Sequence, residues 1–374
     1  MKSNFRLPGP TPIPPQVYAA MQREMVSHRS AEFSAFYVDL LARLRRIHRT
    51  ESDVLVWPGS GSAGWEIAVT NFLSPGDEVV AMVAGAFGDR FAYVGDKLGL
   101  VVHRVDLRWG SAIYPEMVRS ALEAHPGARA IFLTHNETST GVTHPIAELV
   151  AIARDRGVLT FVDGVSSVAG LPVNFDEWDI DYLFTGSQKA WMCPPGVTIA
   201  AIGPRAWEAY ERSTFPKFFW DARATRDAAR EGHTPTTSPI TLDYALEAAA
   251  QMIEDEGWRT SLLATLRSAN RPGPASKRLV SNSLPNLASN RTPSPQCNCR
   301  RVIPARRLPG NCSTTMASPL PAVRRISRIP SSESVTWGGS TQTTSRLRSP
   351  PSARCSASLE RFGGSPEIRK HALY

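Results

Sequence analysis

Between residues 53 and 202 the chain alternates short apolar runs with stretches of helical periodicity, and this alternation constrains the fold more than any other feature. Residues 53–57, 78–83, 101–105, 130–134, 158–162, 182–184 and 197–202 read as strands. The intervening residues, from the glycine-rich turn after Trp57 to Leu73, 87–98, 114–124 and 146–156, read as helices, with Gly99 as a stop signal after the second. Most of these strands lack the in-and-out pattern of a sheet with one wet face. Continuous apolar strands joined by helices predict an α/β fold, a mostly parallel sheet covered by helices on both faces.

The flanks follow different rules. Residues 5–15, Phe-Arg-Leu-Pro-Gly-Pro-Thr-Pro-Ile-Pro-Pro, hold too much proline for a helix or a central strand and read as an extended arm. Helices are expected at 16–25 and 32–49; in the second, Phe33, Phe36, Tyr37, Leu40, Leu41 and Leu44 recur at helical spacing and read as packing. Beyond residue 206 the chain is helical and then loop-like, with a last helix expected over 241–257. The expected division is an arm at 1–15, a large domain at 16–259 and a tail at 260–374.

Composition marks the last boundary. Residues 261–374 carry 16 Arg and 2 Lys against 3 Glu and no Asp, a net charge of +15, whereas residues 1–260 are net −7. The same tail holds 20 Ser and 13 Pro without helical or alternating periodicity, so it reads as basic low-complexity sequence, expected to be disordered and to pack no core. Its abrupt onset is what a shifted reading frame would produce, and translation of the neighbouring frames from residue 260 onward tests that reading. Cys297, Cys299 and Cys312 lack a fourth ligand at zinc spacing, so no metal site is assigned. Few aromatics (Trp337, Phe362, Tyr374) accompany the basic charge, and nucleic-acid binding is not expected. No apolar run is long enough to span a membrane and the start lacks a signal-peptide core, so a cytoplasmic protein is expected.

Three features carry chemistry. Gly59-Ser-Gly-Ser-Ala-Gly64 follows a strand and opens a helix, where free N–H groups and the helix dipole suit a phosphate. No acidic residue follows at the position a dinucleotide ribose requires, and a plain helix-entry turn is the alternative. Asp163 closes an apolar strand, as a cleft carboxylate or as a cap for a following helix. Lys189 follows the strand at 182–184, either as a poorly hydrated amine at a strand's carboxyl end or as a surface lysine opening a helix. Together the three suggest pyridoxal phosphate: an amine for its aldehyde, a carboxylate for its ring nitrogen and a helix terminus for its phosphate.

Over residues 5–259 the chain resembles the class V aminotransferases of pyridoxal-phosphate fold type I, in the alanine–glyoxylate and serine–glyoxylate or serine–pyruvate branch. The resemblance rests on Leu7-Pro-Gly-Pro-Thr-Pro, Gly59-Ser-Gly-Ser-Ala-Gly, His135-Asn-Glu-Thr-Ser-Thr-Gly, Val162-Asp-Gly-Val-Ser-Ser and Gly186-Ser-Gln-Lys-Ala, in the family's order and spacing. It implies that Lys189 forms the Schiff base and that Asp163 pairs with the pyridine nitrogen. It also places Ser60, Gly61 and Ser62 at the phosphate, Phe87 against the cofactor ring, Thr138 near the ring oxygen and Gln188 at the phosphate. For Phe87 an ordinary core phenylalanine is the alternative. Thr237 resembles a residue that reaches the partner subunit's phosphate, which implies a homodimer; a backbone cap is the alternative.

The implied reaction is ping-pong transamination of a small amino acid, alanine or serine, with glyoxylate or pyruvate as acceptor (EC 2.6.1.-). The family's small domain carries an arginine for the substrate carboxylate, in an Arg-Ile-Gly-His-type segment. Residues 261–374 contain no match to it, and Arg361-Phe-Gly-Gly is not assigned that role. A catalytically impaired remnant with a basic tail is therefore the alternative function.

Overall fold

The computed structural model describes residues 7–257. The expectations for the tail, its disorder, its shifted frame and its missing substrate arginine, lie outside the described residues, as does the start of the arm.

The elements run in order as α1 (Pro15–Ala20), α2 (Ala31–His48), β1 (Asp53–Pro58), α3 (Gly61–Phe72), β2 (Glu78–Val83), α4 (Ala86–Lys97), β3 (Val101–Asp106), α5 (Pro115–Ala124) and β4 (Ala130–Thr134). They continue with β5 (Asn136–Glu137), β6 (Val142–Thr143), α6 (Ile146–Asp155), β7 (Leu159–Asp163), β8 (Tyr182–Gly186), β9 (Val197–Ile202), α7 (Pro204–Tyr210), α8 (Ala222–Arg230) and α9 (Ile240–Glu256). The main sheet has seven strands in the order β1-β9-β8-β7-β4-β2-β3. β8, β7, β4, β2 and β3 pair in parallel, while β9 is antiparallel to both β1 and β8. The reversal has a local cause: no helix lies between β8 and β9, so the chain turns back directly instead of crossing over.

Two helix pairs cover the sheet. α3 and α4 pack on each other, α3 over β7, β8 and β9 and α4 over β2, β3 and β4, while α5 and α6 form a second pair against β2 and β7. Under α3 and α4 lies an aromatic layer, because alternate strand residues point the same way. Phe91 stacks on Phe132 at 4.1 Å, Phe132 lies 6.0 Å from Phe161, and Phe161 meets Tyr182 edge-on at 5.8 Å. Gly64 lets α3 press onto this layer: a Cβ there would lie 2.0 Å from Phe184 Cδ2, and Tyr182 Oη donates to the Gly64 carbonyl at 3.1 Å. Only glycine fits.

Three expectations need correction. The helix expected at 16–25 is only Pro15–Ala20, with proline at its first position where a missing N–H costs nothing. No helix follows Asp163; its Oδ1 accepts from Val165 N at 2.9 Å in a tight turn, so helix capping is not its role. Nor does Lys189 open a helix, since it lies in the turn that reverses the chain into β9.

Candidate active site

Every site residue named from the sequence except Thr237 lies at or beyond the carboxyl end of a strand of the main sheet, β1, β2, β4, β7 or β8, where open α/β sheets gather their ligands. Register brings the strand ends level: Thr134 faces Asp163 across β4 and β7, and Asp163 faces Phe184 across β7 and β8.

β8 is wholly buried and ends at Gly186. The turn after it is pinned from both sides. Ser187 N donates to Val197 O at 3.0 Å, Ser187 Oγ to Pro194 O at 2.6 Å, and Met192 N to Lys189 O at 2.9 Å. The N-terminal arm crosses this turn, with Thr11 N donating to Gln188 O at 3.1 Å and Thr11 Oγ1 to Lys189 O at 2.9 Å. Lys189 Nζ itself donates to Pro8 O at 3.1 Å and stands 5.9 Å from the centre of the Phe87 ring. Gly9 must be glycine: its φ is +135° and a Cβ would lie 2.6 Å from Lys189 Cδ. Partial burial of Lys189 lowers its pKa, and the nearby Asp163 carboxylate opposes that shift.

Asp163 is 3% exposed, and both its oxygens are engaged, Oδ1 by Val165 N and Oδ2 by Trp65 Nε1 at 2.9 Å. Burial pushes its pKa up to about 7, with Glu137 acting in the same direction and the two hydrogen bonds and Lys189 against it. A carboxylate of this kind is poised to change charge near neutrality, and a cationic partner would fix it as the anion.

The start of α3 meets these groups. A Cβ on Gly61 would lie 2.6 Å from Val165 Cγ2, and one on Gly186 would lie 3.1 Å from Gly61 N. The turns after β7 and β8 and the first turn of α3 are thus in direct contact. Gly61 is buried, whereas Ser60 and Ser62 are exposed; Ser60 gives α3 no side-chain cap, and its carbonyl accepts from Thr198 Oγ1. Ala63 N donates to Ser60 O at 2.8 Å, while the Gly61 and Ser62 N–H groups before it have no intrahelical acceptor, as at the start of any helix, and can face a ligand. Gln188 Oε1 is buried without a partner beside them.

Thr138 Oγ1 donates to Ser166 Oγ at 2.8 Å, and Ser166 Oγ donates to Asn136 O at 2.8 Å, which ties the β5–β6 hairpin to the turn after Asp163. Phe87 is half-buried in the first turn of α4, packed against the core and 6.4 Å from Trp65, with Arg90 Cζ 5.3 Å and Lys189 Nζ 5.9 Å from the centre of its ring. Thr237 stands apart, exposed in the loop before α9, with no hydrogen bond to the other candidates.

The structure adds two residues that the sequence did not single out. Trp65 lies one residue past the glycine-rich turn and carries the donor for Asp163. Glu137 is 1% exposed and accepts from the backbone of Phe87 and Gly88. Glutamate inside His135-Asn-Glu-Thr-Ser-Thr-Gly, flanked by small polar residues, was the only local hint. Among the described residues no group of three or more His, Cys, Asp and Glu is placed to hold a metal ion.

Comparison with known proteins gives this arrangement a family. The model of the aminotransferase class-V family matches residues 5–261. A soluble hydrogenase small subunit from Synechococcus sp. is 38% identical over 259 residues, 68% of this chain and 67% of its own. An L-aspartate–glyoxylate aminotransferase from Paracoccus denitrificans is 37% identical over 257 residues, 67% of this chain and 65% of its own. The crystal structure of an alanine–glyoxylate aminotransferase from Nostoc sp. matches with a TM-score of 0.66 and 32% identity over 69% of each chain. The chain thus spans about two thirds of the length of these relatives. It belongs to the class V aminotransferases, whose fold and cofactor, pyridoxal phosphate, are those its sheet and strand-end residues accommodate.

Proposed function

We propose that the protein is a pyridoxal-phosphate-dependent transaminase that moves the amino group of a small amino acid, alanine or serine, to glyoxylate or pyruvate. One observation carries this reading. The half-buried Lys189 amine stands over the Phe87 ring, within electrostatic reach of the buried Asp163, and Gly186, three residues before it, abuts the first residue of α3. These groups fit the cofactor by charge and shape. Ser60, Gly61, Ser62 and Gln188 would hold the phosphate, the buried and unpartnered Gln188 Oε1 marking an unfilled polar corner. Asp163 would face the ring nitrogen, Phe87 the ring plane and Thr138 the ring oxygen.

When bound, pyridoxal phosphate supplies the electron sink that stabilises the negative charge left on an amino acid Cα. The chain's residues do the rest. Asp163, ionised by a cationic partner, keeps a proton on the ring nitrogen by charge. Lys189, its pKa lowered by burial, exists more often as the free amine than an exposed lysine does. Its Nζ therefore takes the proton from the substrate Cα and, in the second half-reaction, returns one to the Cα of the product. Pro8 and Gly9 cover Nζ from the solvent side.

The relatives named for serine–glyoxylate and L-aspartate–glyoxylate transfer support glyoxylate as acceptor, and the aspartate case makes that donor a necessary control. Thr237, exposed and without a hydrogen bond among the described residues, fits a role at the partner subunit's phosphate in a homodimer. A cytoplasmic location is part of the same proposal. The second reading, a cofactor-binding remnant without turnover, is favoured by one observation: the family match stops at residue 261, where the composition changes.

The test is absorbance of the purified chain with pyridoxal phosphate, followed by alanine, serine or aspartate with glyoxylate or pyruvate. Visible absorption that is lost in Lys189→Ala, with turnover of alanine or serine, supports the transaminase. Uptake without turnover of any pair supports the remnant. No uptake overturns both.

A further inference from the structure

We propose that Glu137 is a positioning residue for Phe87, fixing the first turn of α4 so that the ring faces Lys189. The inference rests on the cofactor reading above, and extends it to a buried acid that the sequence did not assign.

Glu137 ends β5, and its carboxylate lies between the turn of its own hairpin and the start of α4. Phe87 N lies 3.2 Å from Oε2 and 3.3 Å from Oε1, and Gly88 N lies 3.1 Å from Oε2. Ser139 N donates to Oε1 at 3.1 Å, the Ser139 hydroxyl donates to the same oxygen, and a second bond runs from Ala86 N to Ser139 Oγ at 3.0 Å. Successive N–H groups of the α4 first turn are thus taken by one acidic side chain and its serine neighbour. Gly85, which precedes the helix, offers no side chain to do this, and could not: a Cβ there would lie 2.4 Å from Glu137 Cγ.

The anion has no salt bridge among the described residues. Its charge is offset by these donors and by the positive end of the α4 dipole, an arrangement in which each hydrogen bond is charge-assisted and geometry is tightly held. Of the residues whose N–H groups are gripped, Phe87 is the one whose ring stands near the Lys189 amine. Backbone grip and ring position therefore belong to one residue: if the first turn of α4 frays, the ring is no longer fixed. Among the described residues the carboxylate acts electrostatically on Asp163, whose pKa it helps to raise, and on His144, whose pKa burial lowers despite it.

Two measurements decide the matter, on full-length protein with Glu137→Gln and Glu137→Ala checked for native circular dichroism. The first needs no cofactor. Amide hydrogen exchange at Phe87 and Gly88 should rise at least tenfold in Glu137→Gln and further in Glu137→Ala, while the β8 amides stay protected. Unchanged exchange there overturns the proposal, whether or not the chain takes up cofactor. The second is the dissociation constant for pyridoxal phosphate, with the dichroism of its bound absorption band, in a double-mutant cycle with Phe87→Leu. Glu137→Gln should weaken binding by roughly tenfold when Phe87 is present, in line with loss of a charge-assisted bond, and should have little effect when Phe87 is leucine. An equal loss in both backgrounds would mean that Glu137 acts on the fold and not through Phe87, and would overturn the proposal. Absence of uptake in the wild type refutes the cofactor reading, and hydrogen exchange then still decides whether Glu137 holds the first turn of α4.

Discussion

Replacing Asp163 by asparagine should stabilise the cofactor-free protein at alkaline pH while abolishing its cofactor site. The carboxyl group is 3% exposed, and burial raises its pKa from 3.8 to about 7. Because the folded state binds this proton more tightly than the unfolded chain, the contribution of Asp163 to stability is intact at acid pH. It is withdrawn as pH rises from about 4 through about 7. A shift of that size, at 1.36 kcal/mol per pH unit, corresponds to about 4 kcal/mol between the two limits. Asparagine has nearly the shape of the protonated acid and cannot ionise, so the variant does not incur this pH-dependent loss; its amide can accept only one of the two bonds from Val165 N and Trp65 Nε1, a cost that is the same at every pH. Asp243, also raised to about 7, titrates in both proteins and cancels in the comparison. Urea unfolding of both cofactor-free proteins from pH 4 to pH 8 should show the stability difference growing in favour of the variant by about 4 kcal/mol. A difference that varies by less than about 1 kcal/mol over that range would refute the burial argument.

Trp65→Phe removes the donor at 2.9 Å from Asp163 Oδ2, so the anion loses a hydrogen bond and binds its proton roughly tenfold more tightly. The acid limit of pyridoxal-phosphate uptake should move to higher pH, and an unmoved limit would count against the pairing. Gly64→Ala drives a methyl group to 2.0 Å from the fully buried Phe184 ring, which Phe91 abuts edge-on. Overpacking should outweigh the gain of about 1 kcal/mol in helix propensity and leave a net loss of about 2 kcal/mol by urea titration. A neutral result would mean that α3 stands further from β8. Thr237→Ala should leave the unfolding free energy within about 0.5 kcal/mol, since the side chain is exposed and makes no hydrogen bond among the described residues. The same variant should weaken cofactor uptake, and unchanged uptake would remove Thr237 from the site.

Much of the fold was legible because its strands are buried and its helices amphipathic, so period alone separates them; β7 and β8 are buried at every position. The reversal of β9 was less so. The signal was the missing helix between residues 186 and 197, and absence of pattern is a weaker cue than pattern. The β5–β6 hairpin has two-residue strands, too short for any periodicity, yet it brings Glu137 to α4 and Thr138 to the Asp163 turn. Lys189, Asp163 and the turn at Ser60 were visible because each sits at a strand end marked by glycine or polar residues. Trp65 and Glu137 were not, because their roles arise from contacts across 98 and 49 or 50 residues of sequence. A tryptophan in a helix carries no local sign of its partner, and a glutamate among small polar residues gives only a hint that it has one.

The whole functional reading depends on Lys189 being the residue that carries the cofactor. Incubation of the purified chain with pyridoxal phosphate, reduction with borohydride and mass spectrometry of the digested peptides tests this without an assay of turnover. A stable phosphopyridoxyl group is predicted on the peptide containing Lys189, and none on that peptide in Lys189→Ala. An unlabelled Lys189, or a label carried instead by another lysine such as Lys97 or Lys217, would contradict it.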